Sequence, residues 1–129
     1  MKQPISTPNA PAAIGPYCQG MRGSGEWIFV SGQTPLDPET MMLVGEDAAT
    51  QTHQCLKNVL AILKAAGAGT EQVMKTTVYL KDMMDFTAVN QVYAAYFPEP
   101  FPARVCVEVS RLPKDALVEI DAIALLLGQ

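Results

Sequence analysis

The clearest hydrophobic pattern in the chain lies in residues 102–126, where two runs alternate apolar with other residues around a polar linker that contains Pro113. Alternation with a period of two is typical of half-buried strands. The pattern therefore predicts two strands. Because they follow each other along the chain, we expect them to pair side by side in antiparallel orientation.

Side chains alternate between the two faces of a strand, so Arg104 and Cys106 are predicted to share one face of the first run. The second run divides in the same way, with Ile120 on an apolar face and Glu119 on its reverse. A carboxylate in such a strand is disfavoured by desolvation, so Glu119 is expected to have a partner or a task. Two interpretations stay open: a cross-strand ion pair between Arg104 and Glu119 on a solvated face, or a functional role.

The start of the chain predicts little regular structure. Four prolines within the first 16 residues argue against a helix or a central strand and predict an extended surface segment. A short strand ending near Met21, a glycine-containing turn and the strand-forming run 27–31 then predict a hairpin. Tyr17, which begins this region, is interpreted as a rim or core aromatic rather than a catalytic group.

The middle of the chain predicts two helices and a strand. Apolar residues at helical spacing indicate a helix from about residue 47 to 66, which Gly67 ends. An alternating β-branched run predicts a strand at 73–81. Asp85 is expected to cap a second helix that ends before Pro98, with aromatic residues on a core-facing stripe and Asn90 off that stripe.

The predicted order is strand, strand, helix, strand, helix, strand, strand, which indicates an α+β fold with both helices on one face of a sheet. We expect the helices to cover the Ile120 side. The opposite face, predicted to carry Arg104, Cys106 and Glu119, would then meet solvent or another subunit.

Composition narrows the classes of function. A chain of 129 residues with 49% apolar residues predicts a single domain over 1–129 with a real core. No apolar run reaches the roughly 18 residues of a membrane span and no secretory signal is recognisable, so we expect a soluble cytoplasmic protein without a membrane partner. A net charge of -4 without a basic cluster disfavours nucleic acid and favours small-molecule or protein partners.

Cysteine and histidine usage predicts no metal site. The three cysteines are widely spaced without a CxxC pair, which suits reduced thiols in the cytosol. His53 is the only histidine, and its position on the solvated side of the first predicted helix indicates a surface residue. We therefore expect neither a metal nor a cofactor.

Four stretches of the sequence together resemble the RidA/YjgF family of reactive-intermediate deaminases. They are NAPAAIGPYCQG at 9–20, VSGQTPLDPETM at 30–41, VMKTTVYLKDMMDF at 73–86 and FPARVCVEVSRLPKDALVEIDAIA at 101–124. The resemblance implies a chorismate-mutase-like fold and a homotrimer packed through its sheets, with three clefts at subunit interfaces. It also implies hydrolysis of 2-enamine and 2-imino acids, such as 2-aminoacrylate and 2-iminobutanoate, to 2-keto acids and ammonia.

The resemblance further implies roles for individual residues. Arg104 would bind the substrate carboxylate with help from the backbone of Cys106, and Glu119 would position a water molecule. The segment between the second helix and residue 101 is shorter than is common in the family, so we expect a different cleft rim and a different preference for substrate size. The remaining cleft-lining positions would be Tyr17, Ser31, Gly32 and Asn90.

Two other functions stay open. A regulatory trimer could use the Arg104 cleft to bind a small metabolite without turnover. Glu119 argues against that, because a second negative charge suits water activation better than anion binding. A ribonuclease or translation inhibitor is the other alternative, and the acidic charge balance argues against it.

Overall fold

The structure is a computed structural model that describes residues 2–126. Within that range the chain forms six strands, two α-helices and three single 3₁₀ turns. In chain order the strands and helices are β1 (Gln3–Ile5), β2 (Gly20–Arg22), β3 (Glu26–Gln33), α1 (Ala48–Ala65), β4 (Val73–Leu80), α2 (Phe86–Tyr96), β5 (Ala103–Glu108) and β6 (Val118–Leu126).

The main sheet has the strand order β3-β6-β4-β5. β6 is antiparallel to both β3 and β4, whereas β4 and β5 are parallel. Both helices pack on one face of this mixed sheet, which confirms the predicted α+β fold class. The expected pairing of the two strands in residues 102–126 is wrong, because β4 lies between them. A parallel strand pair needs a crossover connection, and α2 provides it between β4 and β5.

The predicted hairpin near the start of the chain is also wrong. β2 pairs with β1 in a separate two-stranded ribbon, and β3 pairs with β6 in the main sheet. β1 contains Pro4, which is tolerated because this short strand has a neighbour on one side only. β3 has eight residues, and β6 can pair with more of them than β2, which has only three residues.

The structure confirms the predicted first helix and confirms the predicted second helix in part. Asp47 caps α1 by accepting a hydrogen bond from Thr50 N at 2.7 Å, and Gly67 follows its end at a φ of 81°. α2 begins directly after Asp85, but the Asp85 side chain makes no capping hydrogen bond. Asp82 instead caps the preceding 3₁₀ turn. No helix in residues 2–126 is long and apolar enough to cross a membrane.

The register of the sheet decides which face each site residue occupies. Arg104 lies beside Thr76, which lies beside Ala122, and both of these are buried under the helices. Glu119 lies beside Tyr79 on the other face, which the helices leave open. Arg104 and Cys106 therefore belong to the helix-covered face, and their predicted common face with Glu119 is wrong.

The aliphatic pattern of β5 explains this error. Val105 and Val107 resemble a core-facing pair in the sequence, but they lie on the open face and are 41% and 37% exposed. Phe29 of β3 is on the same open face and is 73% exposed. Two edge strands thus carry uncovered apolar side chains on the face that also holds Glu119.

Replacing a core residue of α1 tests the packing of this helix on the sheet. Leu56 is 2% exposed, so Leu56→Ala should lower the free energy of unfolding by about 2–5 kcal/mol through lost burial and a cavity. Ile62 lies on the same helix and is 38% exposed, so Ile62→Ala should cost less than about 1 kcal/mol. Denaturant unfolding monitored by circular dichroism measures both, and equal costs would contradict the described packing.

Candidate functional site

The site residues form two separate groups, and the first surrounds Arg104. Its guanidinium carbon lies 5.0 Å from the ring centre of Tyr93, 5.5 Å from that of Tyr17 and 5.6 Å from that of Phe86. Aromatic faces attract a cation at such distances. We call Tyr17, Asn90 and Arg104, with the rings of Phe86 and Tyr93, the arginine half-site.

Hydrogen bonds fix the arginine half-site in place. Arg104 Nη1 donates to Asn90 Oδ1 at 2.6 Å, and the buried Tyr93 hydroxyl lies 2.7 Å from Thr76 Oγ1. Burial raises the pKa of Tyr93 to about 12, so its hydroxyl remains neutral. Among residues 2–126 no carboxylate lies within 4.0 Å of Arg104, and its charge is therefore available to an external anion.

Helix α2 supplies three members of this half-site from one face. Phe86, Asn90 and Tyr93 are spaced by four and three residues, which places them on neighbouring turns of a helix. Asn90 thus borders the aromatic stripe rather than standing apart from it. The interpretation of Phe86 and Tyr93 as core aromatics missed their second role against Arg104, although their helical spacing to Asn90 was visible in the sequence.

Strand β5 also offers backbone donors at its free edge. Val109 N donates to Leu80 O at 2.8 Å, so the amides of odd-numbered residues in this strand point towards β4. Backbone direction alternates along a strand, and the N–H groups of Arg104 and Cys106 consequently point away from the sheet. This agrees with a role for the Cys106 backbone in holding an anion beside Arg104.

An open cavity of about 440 Å³ lies beside the arginine half-site. One wall is formed by the segment before β2 and the other by β4 and β5. Its volume suits a small organic molecule. The residues that line it are Ala10, Pro11, Tyr17, Cys18, Gln19, Lys75, Ala103, Arg104 and Val105.

The second group, which we call the glutamate half-site, consists of Ser31, Gly32 and Glu119. The pairing of β3 with β6 is irregular between Val30 and Gln33, so Ser31 and Gly32 lie in a bulge on an edge strand. The Glu119 carboxylate approaches the Gly32 backbone so closely that a methyl group at this position would overlap Glu119 Oε2. The glycine is required here for close approach.

The surroundings of Glu119 favour its protonated form. Burial and, to a smaller extent, the negative charge of Asp121 raise the pKa of Glu119 above the ordinary glutamate range. Asp121 is itself held by Thr77 N at 3.0 Å and by the Tyr79 hydroxyl at 3.2 Å. A raised pKa makes the protonated form easier to reach, so such a carboxyl group can both accept and return a proton. The alternation of the strand already places Asp121 on the face of Glu119, and the structure confirms this.

The two half-sites cannot meet within one chain. Arg104 is on β5 and Gly32 is on β3, which are the opposite edges of the sheet, about 14 Å apart for four adjacent strands. Arg104 and Glu119 also lie on opposite faces. The interpretation of Arg104 and Glu119 as a cross-strand ion pair is therefore wrong.

The other chemically active side chains lie elsewhere or are inactive. His53 is exposed on α1, as predicted, and its Nδ1 lies 3.1 Å from the Tyr96 hydroxyl. Burial raises the pKa of the half-buried Cys106 thiol, against a smaller opposing effect of Arg104. In the described part of the chain, no three His, Cys, Asp or Glu side chains group as metal ligands would.

The fold and site together define an α+β protein with an arginine surrounded by aromatic rings, and comparison with known proteins shows its family. A family model described as Endoribonuclease L-PSP matches residues 7–126, and the chain belongs to this family, in which the RidA/YjgF deaminases are found. The predicted family membership is therefore confirmed.

Three relatives illustrate the similarity. The chain is 53% identical over 127 residues to the 2-iminobutanoate/2-iminopropanoate deaminase of Salmonella typhimurium, covering 96% of this chain and 98% of that one. It is 56% identical over 124 residues to a RutC family protein of Pyrococcus horikoshii, again covering 96% and 98%. The crystal structure of Escherichia coli TdcF with bound serine matches with a TM-score of 0.74 and 43% identity, over 96% of this chain and 98% of that chain.

A methyl group at Gly32 tests whether the glutamate half-site needs its close approach. Gly32→Ala should displace the Glu119 carboxylate with little loss of stability, because the group that must move is the end of a flexible side chain. We expect kcat for imine hydrolysis to fall about 10- to 100-fold, as for other small misplacements of a reacting group. Gly20→Ala is the control, since a methyl group there meets only ordinary contacts with Ile5. Unchanged kcat in Gly32→Ala would contradict this role.

Proposed function

We propose that this protein hydrolyses 2-imino acids, and 2-enamine acids after tautomerisation, to 2-keto acids and ammonia in a cleft shared by two copies of the chain. The observation that carries the proposal is the division of the site into two half-sites at opposite edges of one sheet. Each half-site has chemistry that the other lacks: one binds an anion and the other can activate water.

The positions of the half-sites determine the kind of assembly. The β5 edge of one copy must meet the β3 edge of the next, so the contact is head-to-tail rather than self-complementary. A head-to-tail contact closes into a ring when its rotation allows, and the family resemblance implies a ring of three. The uncovered Phe29, Val105 and Val107 on the open face favour burial in such a ring.

Arg104 orients the substrate in this proposal. With Nη1 bound to Asn90, the guanidinium presents its remaining N–H groups to the planar carboxylate of an imino acid, and two-point binding fixes the carboxylate plane. The outward-pointing N–H of Cys106 adds a further donor. Tyr17 covers one side of the guanidinium and excludes water from it.

Glu119 of the neighbouring copy then serves as both base and acid. It accepts a proton from a water molecule as the water oxygen bonds to the carbon of the protonated imine, which gives a neutral carbinolamine. The protonated carboxyl returns this proton to the nitrogen, the C–N bond breaks and ammonia leaves. As the keto group forms, the hydroxyl group gives its proton to the Glu119 carboxylate, which releases it to solvent. A positioned acid or base of this kind contributes about 10²- to 10⁴-fold.

A covalent role for Cys106 is disfavoured. A nucleophilic cysteine must be available as the thiolate, and burial raises the pKa of this thiol. Its side chain lies on the helix-covered face with Val78, whereas its backbone N–H points to the free edge. We therefore assign Cys106 a binding role through its backbone.

Two relatives support imine hydrolysis, whereas the family model carries the name Endoribonuclease L-PSP. A protein named 2-iminobutanoate/2-iminopropanoate deaminase is 53% identical to this chain, and TdcF binds serine, an amino acid with the same carboxylate group. A metabolite sensor would need Arg104 but not Glu119. Imine turnover that depends on both residues therefore separates the enzyme from the sensor. A protein that acts only as a ribonuclease would show no imine turnover.

Mixing two inactive variants tests the shared cleft. Arg104→Ala and Glu119→Gln should each abolish most imine hydrolysis. When equal amounts are unfolded and refolded together, about one quarter of the clefts in a head-to-tail ring receive an intact Arg104 from one copy and an intact Glu119 from the next. Activity on 2-iminobutanoate generated in situ should therefore return to roughly one quarter of the wild-type value.

The control for this experiment mixes Arg104→Ala with the double variant Arg104→Ala/Glu119→Gln, which provides no intact arginine and should remain inactive. Sedimentation must show the same assembly in every sample. The proposal is refuted if rings that have exchanged subunits show no more imine hydrolysis than the two separate variants together. The whole site would then lie within one chain.

The acid limb of the pH profile tests the protonation state of Glu119. Only the carboxylate accepts a proton from water, so kcat/KM should rise as pH passes through the raised pKa of Glu119 in the free enzyme. Asp121→Asn removes the neighbouring negative charge, lowers that pKa and should move the acid limb to lower pH. A limb at the same pH in Asp121→Asn would show that a different group controls it.

A further inference from the structure

The segment between β1 and β2 is held mainly by the side chain of Gln19. We call residues 6–16 of this segment the N-terminal strap. Gln19 Oε1 accepts a hydrogen bond from Thr7 N at 2.6 Å, and Gln19 Nε2 donates to the carbonyl oxygens of Thr7, Ala10 and Pro11 at 3.1, 3.2 and 2.7 Å. The side chain of Gln19 thus makes the kind of hydrogen bonds to the strap backbone that a neighbouring strand would make.

No other element of the described chain fastens the strap by hydrogen bonds. Within residues 2–126, the hydrogen bonds that join the strap to residues outside it involve only Gln19 and Tyr17. The next tether along the chain is Cys18 N, which donates to Pro102 O at 3.2 Å beside the start of β5. Without Gln19, the strap would be anchored mainly at its two ends.

The strap covers the arginine half-site. A methyl group at Gly15 would lie 3.4 Å from the Tyr17 ring and 3.9 Å from Arg104 Nη2, and Ile14 N donates to the Tyr17 hydroxyl at 3.3 Å. Ala10 and Pro11, whose carbonyl groups accept from Gln19, line the 440 Å³ cavity together with Arg104. The side-chain amide of Gln19 therefore determines the position of the strap residues that line this cavity.

We propose that Gln19 is a positioning residue for substrate binding: it fixes the N-terminal strap, and through the strap the cavity wall and Tyr17, against the bound imino acid. This inference rests on the proposed function, because Arg104 must hold the carboxylate for the rest of the substrate to occupy that cavity. The strap borders Tyr17 and Arg104, which bind the substrate rather than activate water, so we expect its position to affect ground state and transition state alike. Loss of Gln19 should raise KM while kcat is retained.

The experiment compares Gln19→Met with Gln72→Met. Methionine keeps the length of the side chain and removes its hydrogen bonds. Gln72 is a matched control because its Oε1 also accepts a backbone N–H, that of Gly69 at 2.6 Å, outside the cavity wall. For 2-iminobutanoate we expect Gln19→Met to raise KM about tenfold with kcat within about twofold of wild type. Gln72→Met should change neither.

Hydrogen exchange provides a readout that does not depend on turnover. Amides in residues 6–16 should exchange faster in Gln19→Met than in wild type or Gln72→Met. Binding of the product 2-ketobutanoate, measured by calorimetry, should weaken in parallel with the rise in KM. If wild type binds 2-ketobutanoate but does not hydrolyse the imine, the proposed function fails while exchange and binding still decide the role of Gln19.

Several outcomes would overturn the inference. They are an unchanged KM in Gln19→Met, unchanged exchange of the strap, or a fall in kcat at constant KM. Gln19→Glu is the second variant, since it keeps the acceptor for Thr7 N and loses the three donated hydrogen bonds. If neither variant folds, Gln19 is a general determinant of folding and the positioning role is wrong.

Discussion

The positive charge of Arg104 is the constraint on which the arrangement of the site depends. A half-buried charge is costly unless it is compensated, and compensation by a carboxylate would occupy the group that a substrate needs. The chain compensates it with three aromatic rings and one amide oxygen. This arrangement requires α2 to place Asn90 and Tyr93 against Arg104, with the Tyr93 hydroxyl in contact with Thr76. It also requires the segment before β2 to place Tyr17 beside the same guanidinium.

Glu119 is subject to a different constraint on the other side of the sheet. Its folded-state pKa is raised above that of the unfolded chain, so the folded state binds the proton more tightly. The stability that this contributes is fully present below the unfolded pKa and is lost as pH rises through the folded pKa. Once ionised, the carboxylate therefore opposes folding, which is consistent with a group kept for chemistry rather than for stability.

The sequence predicts an element correctly where its hydrophobic pattern is local. It is insufficient where the buried face of a strand depends on which strand lies beside it. α1 and β4 were predicted from periodicity because each has one continuous buried face. The phase of β5 was not, because Val105 and Val107 have the apolar character of a core pair yet lie uncovered on the open face. The family resemblance implied six members of the two half-sites, whereas their placement on opposite faces needed the register of the sheet. The contacts of Phe86 and Tyr93 with Arg104 required side-chain positions.

The free edge of β5 has a consequence for how this chain behaves when its assembly is incomplete. Outward-pointing N–H groups next to exposed valines form a template for another strand, and β3 offers a second edge at the far side of the sheet. Two unlike edges on one molecule support either a closed ring or, if the angle between neighbours is wrong, an open filament of indefinite length. The hydrogen bond from Cys18 to Pro102 blocks only the start of β5. In the proposed ring, protection from fibre formation therefore depends on the angle at which neighbouring copies meet.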